Sequence, residues 1–246
     1  MTEIIFGRNS VLEALRANRH ITRLLLEKGV KNDTRINEII QITAKAGVFV
    51  ENVPGQILDR LSNHGVHQGI IAYADEMPVL TLDDLIGISS RKGEPPFYVI
   101  LDGIEDPHNL GAILRTSEAT GVHGVIIRSR RAVGLTPAVM KAAAGAVEYV
   151  PLIQVTNIAQ GVDALKKQGL WIIGIDSTAR ENYLSLDFRP ATAVVVGAEG
   201  AGISPLVKKK CDFLTSIPMK GKISSLNASV ATAVILYEVL RQREYQ

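Results

Sequence analysis

A dense group of polar residues separates an apolar strand pattern from an Ala/Val-rich helix pattern near the end of the chain. Lys-Gly-Lys at 220–222 comes first, and Ser224, Ser225, Asn227 and Ser229 follow. Ser and Asn side chains cap the free N–H groups of a first helical turn, but one cap needs only one such residue. The group therefore indicates a polar floor that holds a ligand, and an over-capped helix is the alternative.

Two apolar residues lie beside these polar side chains. Met219 precedes the lysines and Leu226 precedes Asn227. A pocket at this position would have apolar walls and many main-chain donors. That combination suits an adenine ring and a ribose better than a polyphosphate.

A second group with chemical potential is the glycine-rich stretch "VVVGAEGAGIS". Gly197, Gly200 and Gly202 surround Glu199 there. Such a turn after a strand brings backbone amides close to a ligand. Its G-x-x-G-x-G spacing differs from the dinucleotide fingerprint, which also follows the first strand of its domain and needs an acidic residue about 20 positions later. A dinucleotide-dependent dehydrogenase is therefore disfavoured.

A third group lies in "LDGIEDPHNLGAILRTSEATG", where a strand pattern ends at Asp102 and a helix pattern carries Asn109 and Arg115. In a continuous helix these two side chains would point about 240° apart, because each residue advances the helix by about 100°. They can converge if Asn109 lies in the preceding loop. A capping asparagine with a surface arginine is the alternative.

Each of these groups follows a strand pattern in the C-terminal part of the chain. The predicted strands there are FYVILD, GVIIR, VEYVPLI, LWIIGI, TAVVVG and FLTSIP. The predicted helices start at Asn109, Thr136, Asn157 and Pro205, and a last one starts around Ser225. This alternation predicts a mostly parallel sheet covered on both faces, with ligands at the carboxyl ends of its strands.

The N-terminal part shows a separate alternation of patterns. Its predicted helices are NSVLEALRAN, DTRINEIIQITAKAG and PGQILDRLS, and its predicted strands are ITRLLLE, VFVENV and QGIIAYA. A stretch rich in Pro, Gly, Ser and charge follows, with a small helix predicted at TLDDLIG. We therefore expect an α/β protein with a small N-terminal domain at 1–75, a linker at 76–95 and a catalytic domain at 96–246.

Composition excludes several classes of protein. No apolar run approaches the ~20 residues of a membrane span, and the N-terminus lacks a signal-peptide pattern, so we expect a cytoplasmic protein without membrane contact. The single cysteine, Cys211, rules out internal disulfides and cysteine-clustered metal sites. The five histidines are scattered, and no metal site is expected.

Charge alone does not indicate a nucleic-acid partner. The formal net charge is only +2, whereas nucleic-acid-binding domains normally show a clearly basic face. Basic clusters occur at 128–131, 208–210 and 220–222, and each of them could equally be a solvated face. Support for an RNA partner therefore has to come from candidate binding and catalytic residues and not from the charge.

The ordered set "DPHNLGAILRTSEATG", "VVVGAEGAGIS" and "IPMKGKISSLNASVATAVILYE" resembles the three motifs of the SpoU/TrmH family of RNA ribose 2′-O-methyltransferases, within the SPOUT superfamily. The resemblance covers about residues 97–246. The N-terminal part, which ends in "HGVHQGIIAYA", resembles the substrate-binding domain of the bacterial type that methylates a guanosine of large-subunit (23S) rRNA.

This resemblance implies a parallel-sheet catalytic domain whose C-terminal segment forms a deep trefoil knot. It implies S-adenosylmethionine as the methyl donor, no metal, a homodimer with the active site near the subunit interface, and 23S rRNA or a ribosome assembly precursor as the partner. The donor-binding residues that it implies are Gly197, Gly200, Gly202, Ile217, Met219, Ser225 and Leu226. The catalytic residues that it implies are Arg115, Asn109, Glu199, Ser225 and Asn227.

The resemblance assigns Arg115 the activating role, and a guanidinium that is always protonated would act by stabilising the developing alkoxide and binding the adjacent phosphate. Asn109 and Glu199 would orient Arg115 or the ribose. Ser225 and Asn227 would hold donor and acceptor in line.

Two alternatives stay open. A non-catalytic RNA-binding protein with the same fold would carry a damaged motif, and Asn109, Arg115, Glu199 and Asn227 are all intact. An enzyme of the same superfamily that acts on tRNA is the other.

Overall fold

The structure, a computed structural model, describes residues 2–130 and 132–245. These residues form two compact units. The first contains residues 2–78 and 144–149, and the second contains residues 79–130, 132–143 and 150–245. Both units are α/β, in agreement with the predicted class.

The first unit is built on a four-stranded mixed sheet. Its elements are β1 (Thr2–Phe6), α1 (Arg8–Arg16), β2 (Ile21–Glu27), α2 (Thr34–Lys45), β3 (Phe49–Val53), α3 (Gly55–Leu61) and β4 (Ile70–Asp75). The strand order is β1-β4-β2-β3, in which β2 and β3 are parallel and the other pairs are antiparallel. The predicted helices and strands of this region are confirmed, and β1 was missed.

Strand β2 explains how this small sheet is covered on both faces. Leu24 and Leu26 are buried in one core cluster with residues of α1 and α2. Leu25 is buried in another cluster with Leu58 of α3. Because successive side chains of a strand point to opposite faces, the run of leucines supplies both cores.

The second unit is built on a seven-stranded sheet in which every strand pair is parallel. The order is β7-β6-β5-β10-β8-β11-β9. Its strands are β5 (Phe97–Asp102), β6 (Gly124–Arg128), β7 (Leu152–Val155), β8 (Trp171–Ile175), β9 (Glu181–Asn182), β10 (Thr192–Gly197) and β11 (Phe213–Ser216). Its helices are α4 (Leu82–Lys92), α5 (Pro107–Ala119), α6 (Pro137–Ala143), α7 (Ile158–Lys167), α8 (Pro205–Lys208) and α9 (Ala228–Glu244). The predicted parallel sheet is confirmed, and the first four predicted helix starts are correct within two residues.

One predicted strand, VEYVPLI, is wrong over its first half. Residues Ala146–Glu148 form a 3₁₀ turn that follows Gly145, whose φ of 98° is left-handed. The strand begins only at Leu152, after Pro151. Proline lacks a backbone N–H, which explains why regular pairing starts after it.

Helix α4 begins the second unit. Thr81 and Asp84 form a reciprocal capping box at its start, so the small helix predicted at TLDDLIG is confirmed and extends to Lys92. Leu85 is fully buried in the core of the second unit. A side chain at Gly124 of β6 would collide with it, which shows how closely α4 packs on the sheet.

Candidate active site

Four neighbouring strands of the second unit end at one edge of the sheet. They are β5, β10, β8 and β11, which are parallel. Gly197, the last residue of β10, lies opposite Asp102, the last residue of β5. The loops that leave these strands therefore meet at the carboxyl edge, where open parallel sheets bind ligands.

The segment 197–202, which we name the glycine turn, is fixed by its own backbone. Ala198 N–H donates to Gly202 O at 3.1 Å, and Gly202 N–H donates to Ala198 O at 2.8 Å. A Cβ on Gly197 would lie 2.1 Å from the carbonyl carbon of Gly202, so no other residue fits there. Gly200 and Gly202 have φ values of 77° and 66°, a region that glycine adopts at little cost.

Glu199, inside the glycine turn, joins two distant parts of the chain through hydrogen bonds. Its Oε1 accepts from Asn109 Nδ2 at 2.9 Å and from Asn227 Nδ2. Asn227 Nδ2 also donates to Asn109 Oδ1 at 2.9 Å. The three predicted catalytic residues Asn109, Glu199 and Asn227 therefore form one cluster.

Two helix N-termini converge on this cluster, and both favour a negative charge there. Asn109 lies in the first turn of α5, and Ala228 N–H of α9 donates to Glu199 Oε1 at 3.4 Å. Asn227 also caps α9, because its Oδ1 accepts from the N–H groups of Ser229 and Val230. The cluster combines structural capping with the positioning of a carboxylate.

The last helix starts at Ala228, so the predicted start around Ser225 is wrong. Asn227 alone supplies the cap, and its extended backbone ends the loop. Ser224 and Ser225 are exposed and precede the helix. Within the described residues, neither serine takes part in a hydrogen bond. Their hydroxyl groups are therefore available to a ligand.

A cavity of about 580 Å³ opens at the carboxyl edge beside the cluster. Glu199 and Asn227 line it, together with Lys208 of α8. All the predicted donor-binding residues also line it, namely Gly197, Gly200, Gly202, Ile217, Met219, Ser225 and Leu226. The cavity has the apolar walls and exposed main chain that the sequence indicated.

Sequence reasoning missed one wall of the cavity, the segment Asp176–Thr178 that follows β8. Asp176 accepts from Thr178 N at 2.8 Å and from Thr178 Oγ1 at 2.6 Å, and it pairs with Lys208. Burial raises the pKa of Asp176, but the hydrogen bonds from Lys208 and Thr178 outweigh burial and hold the pKa below its ordinary value. The available signal was the polar Asp-Ser-Thr run at the end of a buried strand.

The structure places Arg115 outside the cluster. Asn109 is helical and buried, whereas Arg115 is exposed on a different side of α5. Asn109 and Arg115 could converge within one chain only if Asn109 lay in the loop before α5. The structure does not meet this condition. Among the described residues Arg115 makes no ion pair with an acidic side chain.

Family models match both units of the chain. The model of the SpoU rRNA Methylase family matches residues 96–237, which include the cluster and the cavity. The chain belongs to the SpoU methylase family. A second model, described as RNA 2′-O ribose methyltransferase substrate binding, matches residues 4–79.

Individual relatives agree with this assignment. The protein YacO of Bacillus subtilis, named as a TrmH family tRNA/rRNA methyltransferase, is 43% identical over 242 residues, covering 98% of this chain and 96% of its own length. The SpoU methyltransferase AviRb of Streptomyces viridochromogenes, solved in complex with AdoMet, matches with a TM-score of 0.81 at 25% identity and covers 98% of this chain and 90% of its own. A crystal structure of an RNA 2′-O ribose methyltransferase matches with a TM-score of 0.76 at 26% identity, covering 98% and 88%.

A cysteine nucleophile finds little support in the described residues of this SpoU methylase. Burial raises the pKa of Cys211 to about 11, so its thiol is protonated at neutral pH and is a poor nucleophile. No group of three or more His, Cys, Asp or Glu side chains is placed to hold a metal ion in residues 2–130 and 132–245. None of the described helices combines the length and the apolar character needed to cross a bilayer.

Proposed function

We propose that this SpoU methylase transfers a methyl group from S-adenosylmethionine to a ribose 2′-hydroxyl of RNA, at a guanosine of 23S rRNA. The observation that carries this proposal is the cavity at the carboxyl edge, because the predicted donor-binding residues line it together with Glu199 and Asn227. The AdoMet-bound structure of AviRb supports the choice of donor.

The lining of the cavity fits this donor. Ile217, Met219 and Leu226 supply apolar surface for an adenine ring, and the glycine turn leaves backbone free of side chains. S-adenosylmethionine supplies a sulfonium-activated methyl group, which moves to the 2′-oxygen while the hydroxyl loses its proton. The reaction needs no metal, because the sulfonium already activates the methyl carbon.

The chain's own residues would align the reacting oxygen. Asn109 and Asn227 hold Glu199 Oε1 from two sides, which fixes the carboxylate at the cavity wall. Ser225 presents a free hydroxyl on the opposite loop. Holding donor and acceptor in line turns a bimolecular encounter into a reaction between two positioned groups, which lowers the entropic part of the barrier.

Arg115 would act in a homodimer. Val230 and Tyr237 of α9 are 48% and 53% exposed, and Val234 lies between them on the same helical face. An apolar face of this kind favours contact with a second copy. Arg115 lies on the exposed side of α5, which packs against α9, so a second copy seated there would bring Arg115 close to a site at the subunit interface.

The first unit would select the RNA. Its match to the substrate-binding family model supports this role for residues 4–79. A guanosine of 23S rRNA, free or in a ribosome assembly precursor, is the proposed target, and the description of YacO as a tRNA/rRNA methyltransferase makes tRNA the alternative. The trefoil knot stays a prediction from the family resemblance, and the cytoplasmic location stays a prediction from the sequence pattern.

The test is methylation of defined RNAs by the purified full chain. Unmodified 23S rRNA and tRNA transcripts would be incubated with labelled S-adenosylmethionine, and the modified nucleotides would be located by mass spectrometry of nuclease digests. We expect one 2′-O-methylguanosine in 23S rRNA. Methyl transfer to tRNA alone would move the target to tRNA, and binding of RNA without transfer to either would support a non-catalytic protein.

A further inference from the structure

The segment 217–226, which we name the Lys-Gly-Lys loop, joins β11 to α9 in the second unit. Residues 218–225 are all exposed, and Ile223 is 74% exposed. Among the described residues, no hydrogen bond fixes any part of 217–226. The loop is therefore free to adjust to a ligand.

The two lysines of this loop differ from other lysines of the same unit. Three of those lysines pair with aspartates, Lys166 with Asp212, Lys208 with Asp176 and Lys210 with Asp163. In the described part of the chain, Lys220 and Lys222 form no ion pair. Their ammonium groups are thus available to a partner that brings negative charge.

The loop also forms part of the cavity. Ile217 and Met219 line the cavity before the lysines, and Ser224 and Ser225 line it after them. Lys220 and Lys222 do not line it, so they lie on the stretch that leaves the cavity and returns to it. Both charges consequently stand at the rim, where an RNA strand would pass to present a ribose.

We propose that Lys220 and Lys222 bind backbone phosphates of the RNA on either side of the target ribose. This inference rests on the proposed function and adds residues to it. The two lysines are separated only by Gly221, at a bend of the loop, so their Cα atoms lie at most about 7 Å apart, within reach of neighbouring phosphates of one strand. Lysine is a compact point charge with rotatable donors, and it binds phosphate without needing a fixed geometry.

A carboxylate of the methyl donor could attract the same charges. Removing the lysines distinguishes the two ligands. If the lysines contact the donor, their removal should weaken donor binding. If they contact phosphates, it should weaken RNA binding in a salt-dependent way. Each phosphate contact to a single strand contributes a slope of about −0.7 in a plot of log K against log salt concentration. Measuring both affinities therefore separates the two partners.

The experiment compares two double variants of the full chain. Lys220→Gln with Lys222→Gln removes the rim charges, and Lys167→Gln with Lys209→Gln removes two other exposed lysines. Of the control lysines, Lys167 is the last residue of α7 and Lys209 directly follows α8. Both are exposed, and each precedes the amino end of the next strand, whereas the cavity lies at the carboxyl ends. Binding to an unmodified 23S rRNA transcript would be measured across a salt series, and donor affinity by calorimetry.

For the rim variant, we expect the plot of log K for RNA against log salt concentration to become shallower by about 1.4. Donor affinity should be unchanged. The KM for RNA should rise by a larger factor than kcat falls. The control variant should keep the wild-type slope, and Lys220→Arg with Lys222→Arg should restore it. An equal loss of slope in the control, or a loss of donor affinity in the rim variant, would overturn the proposal. The binding slopes are read without turnover, so failure of the proposed methyl transfer would be seen separately.

Discussion

The glycine turn and the Lys-Gly-Lys loop both line the cavity, but only the glycine turn is fixed by contacts of the chain itself. Backbone hydrogen bonds close the turn between Ala198 and Gly202, and Glu199 is held by two asparagines. The Lys-Gly-Lys loop is exposed over residues 218–225. A fixed wall suits a reacting group that must stay in line, and an adaptable wall suits a long strand that must enter and leave.

Substituting glycine in each wall should give the largest difference in stability and donor binding between the glycine turn and the Lys-Gly-Lys loop. Gly197→Ala places a Cβ 2.1 Å from a backbone carbon, whereas Gly221→Ala in the loop meets nothing within 4 Å. We expect Gly197→Ala to lower the free energy of unfolding by about 3 kcal/mol and to abolish donor binding. Gly221→Ala should stay within about 0.5 kcal/mol of wild type. Denaturant unfolding and calorimetry would measure both, and equal effects would break the comparison.

Arg115 tests whether the chemistry also needs a residue outside both walls. Arg115→Lys keeps the charge but loses the planar fork of donors. If Arg115 stabilises charge that appears only in the transition state, single-turnover methylation should fall by ~10²-fold with donor affinity nearly intact. Near-normal turnover in Arg115→Lys or Arg115→Ala would make it an ordinary exposed helix residue.

Glu199→Gln sharpens the description of the fixed wall. The variant keeps the shape of the side chain but removes the charge that accepts hydrogen bonds from Asn109 and Asn227. Hydrogen bonds to charged groups are worth about 1.5–3 kcal/mol, so we expect methylation to fall by about tenfold or more. Glu118→Gln, on an exposed position of α5, serves as the control. Equal methylation rates in Glu199→Gln and Glu118→Gln would show that the Glu199 charge does not position the reacting groups.

The smallest expected effect concerns Asp176 and pH. Because its pKa lies below the ordinary Asp value, Asp176 contributes stability that is present above about pH 5 and is lost as the pH falls through its depressed pKa. Asp176→Asn should therefore cost up to about 1 kcal/mol at pH 7, and this cost should shrink as the pH falls below about 4. Unfolding curves across this range would check it. A difference that stays constant with pH would show that the loss arises from packing.

The sequence predicted the elements that depend on local signals. Strands at 97–102, 124–128 and 192–197 are continuous apolar runs between turn residues, and they occur as predicted. The strand at VEYVPLI failed because Pro151 interrupts the ladder, a local signal that the apolar run concealed. The edge strands β1 and β9 were missed, and β9 has only two residues.

The candidate site divides in the same way. The glycine turn could be predicted because its backbone positions tolerate few residues other than glycine. The cap at Asn227 could not, because the neighbouring serines are equally good capping residues. The wall at Asp176–Thr178 depends on β8 lying between β10 and β11, an order that residue patterns do not encode. The separation of Arg115 from Asn109 follows from α5 beginning at Pro107, because Asp106 caps it two residues earlier than predicted.

Donor binding at the cavity tests the central claim most directly. Leu226 lines the cavity, whereas Leu206 of α8 is 57% exposed and does not. Leu226→Arg would introduce bulk and a positive charge that opposes the sulfonium, and Leu206→Arg makes the same change outside the cavity. Calorimetric titration with S-adenosylmethionine should show wild-type affinity for Leu206→Arg and a loss of at least tenfold for Leu226→Arg, about 1.4 kcal/mol. Unchanged affinity in a folded Leu226→Arg would contradict the account.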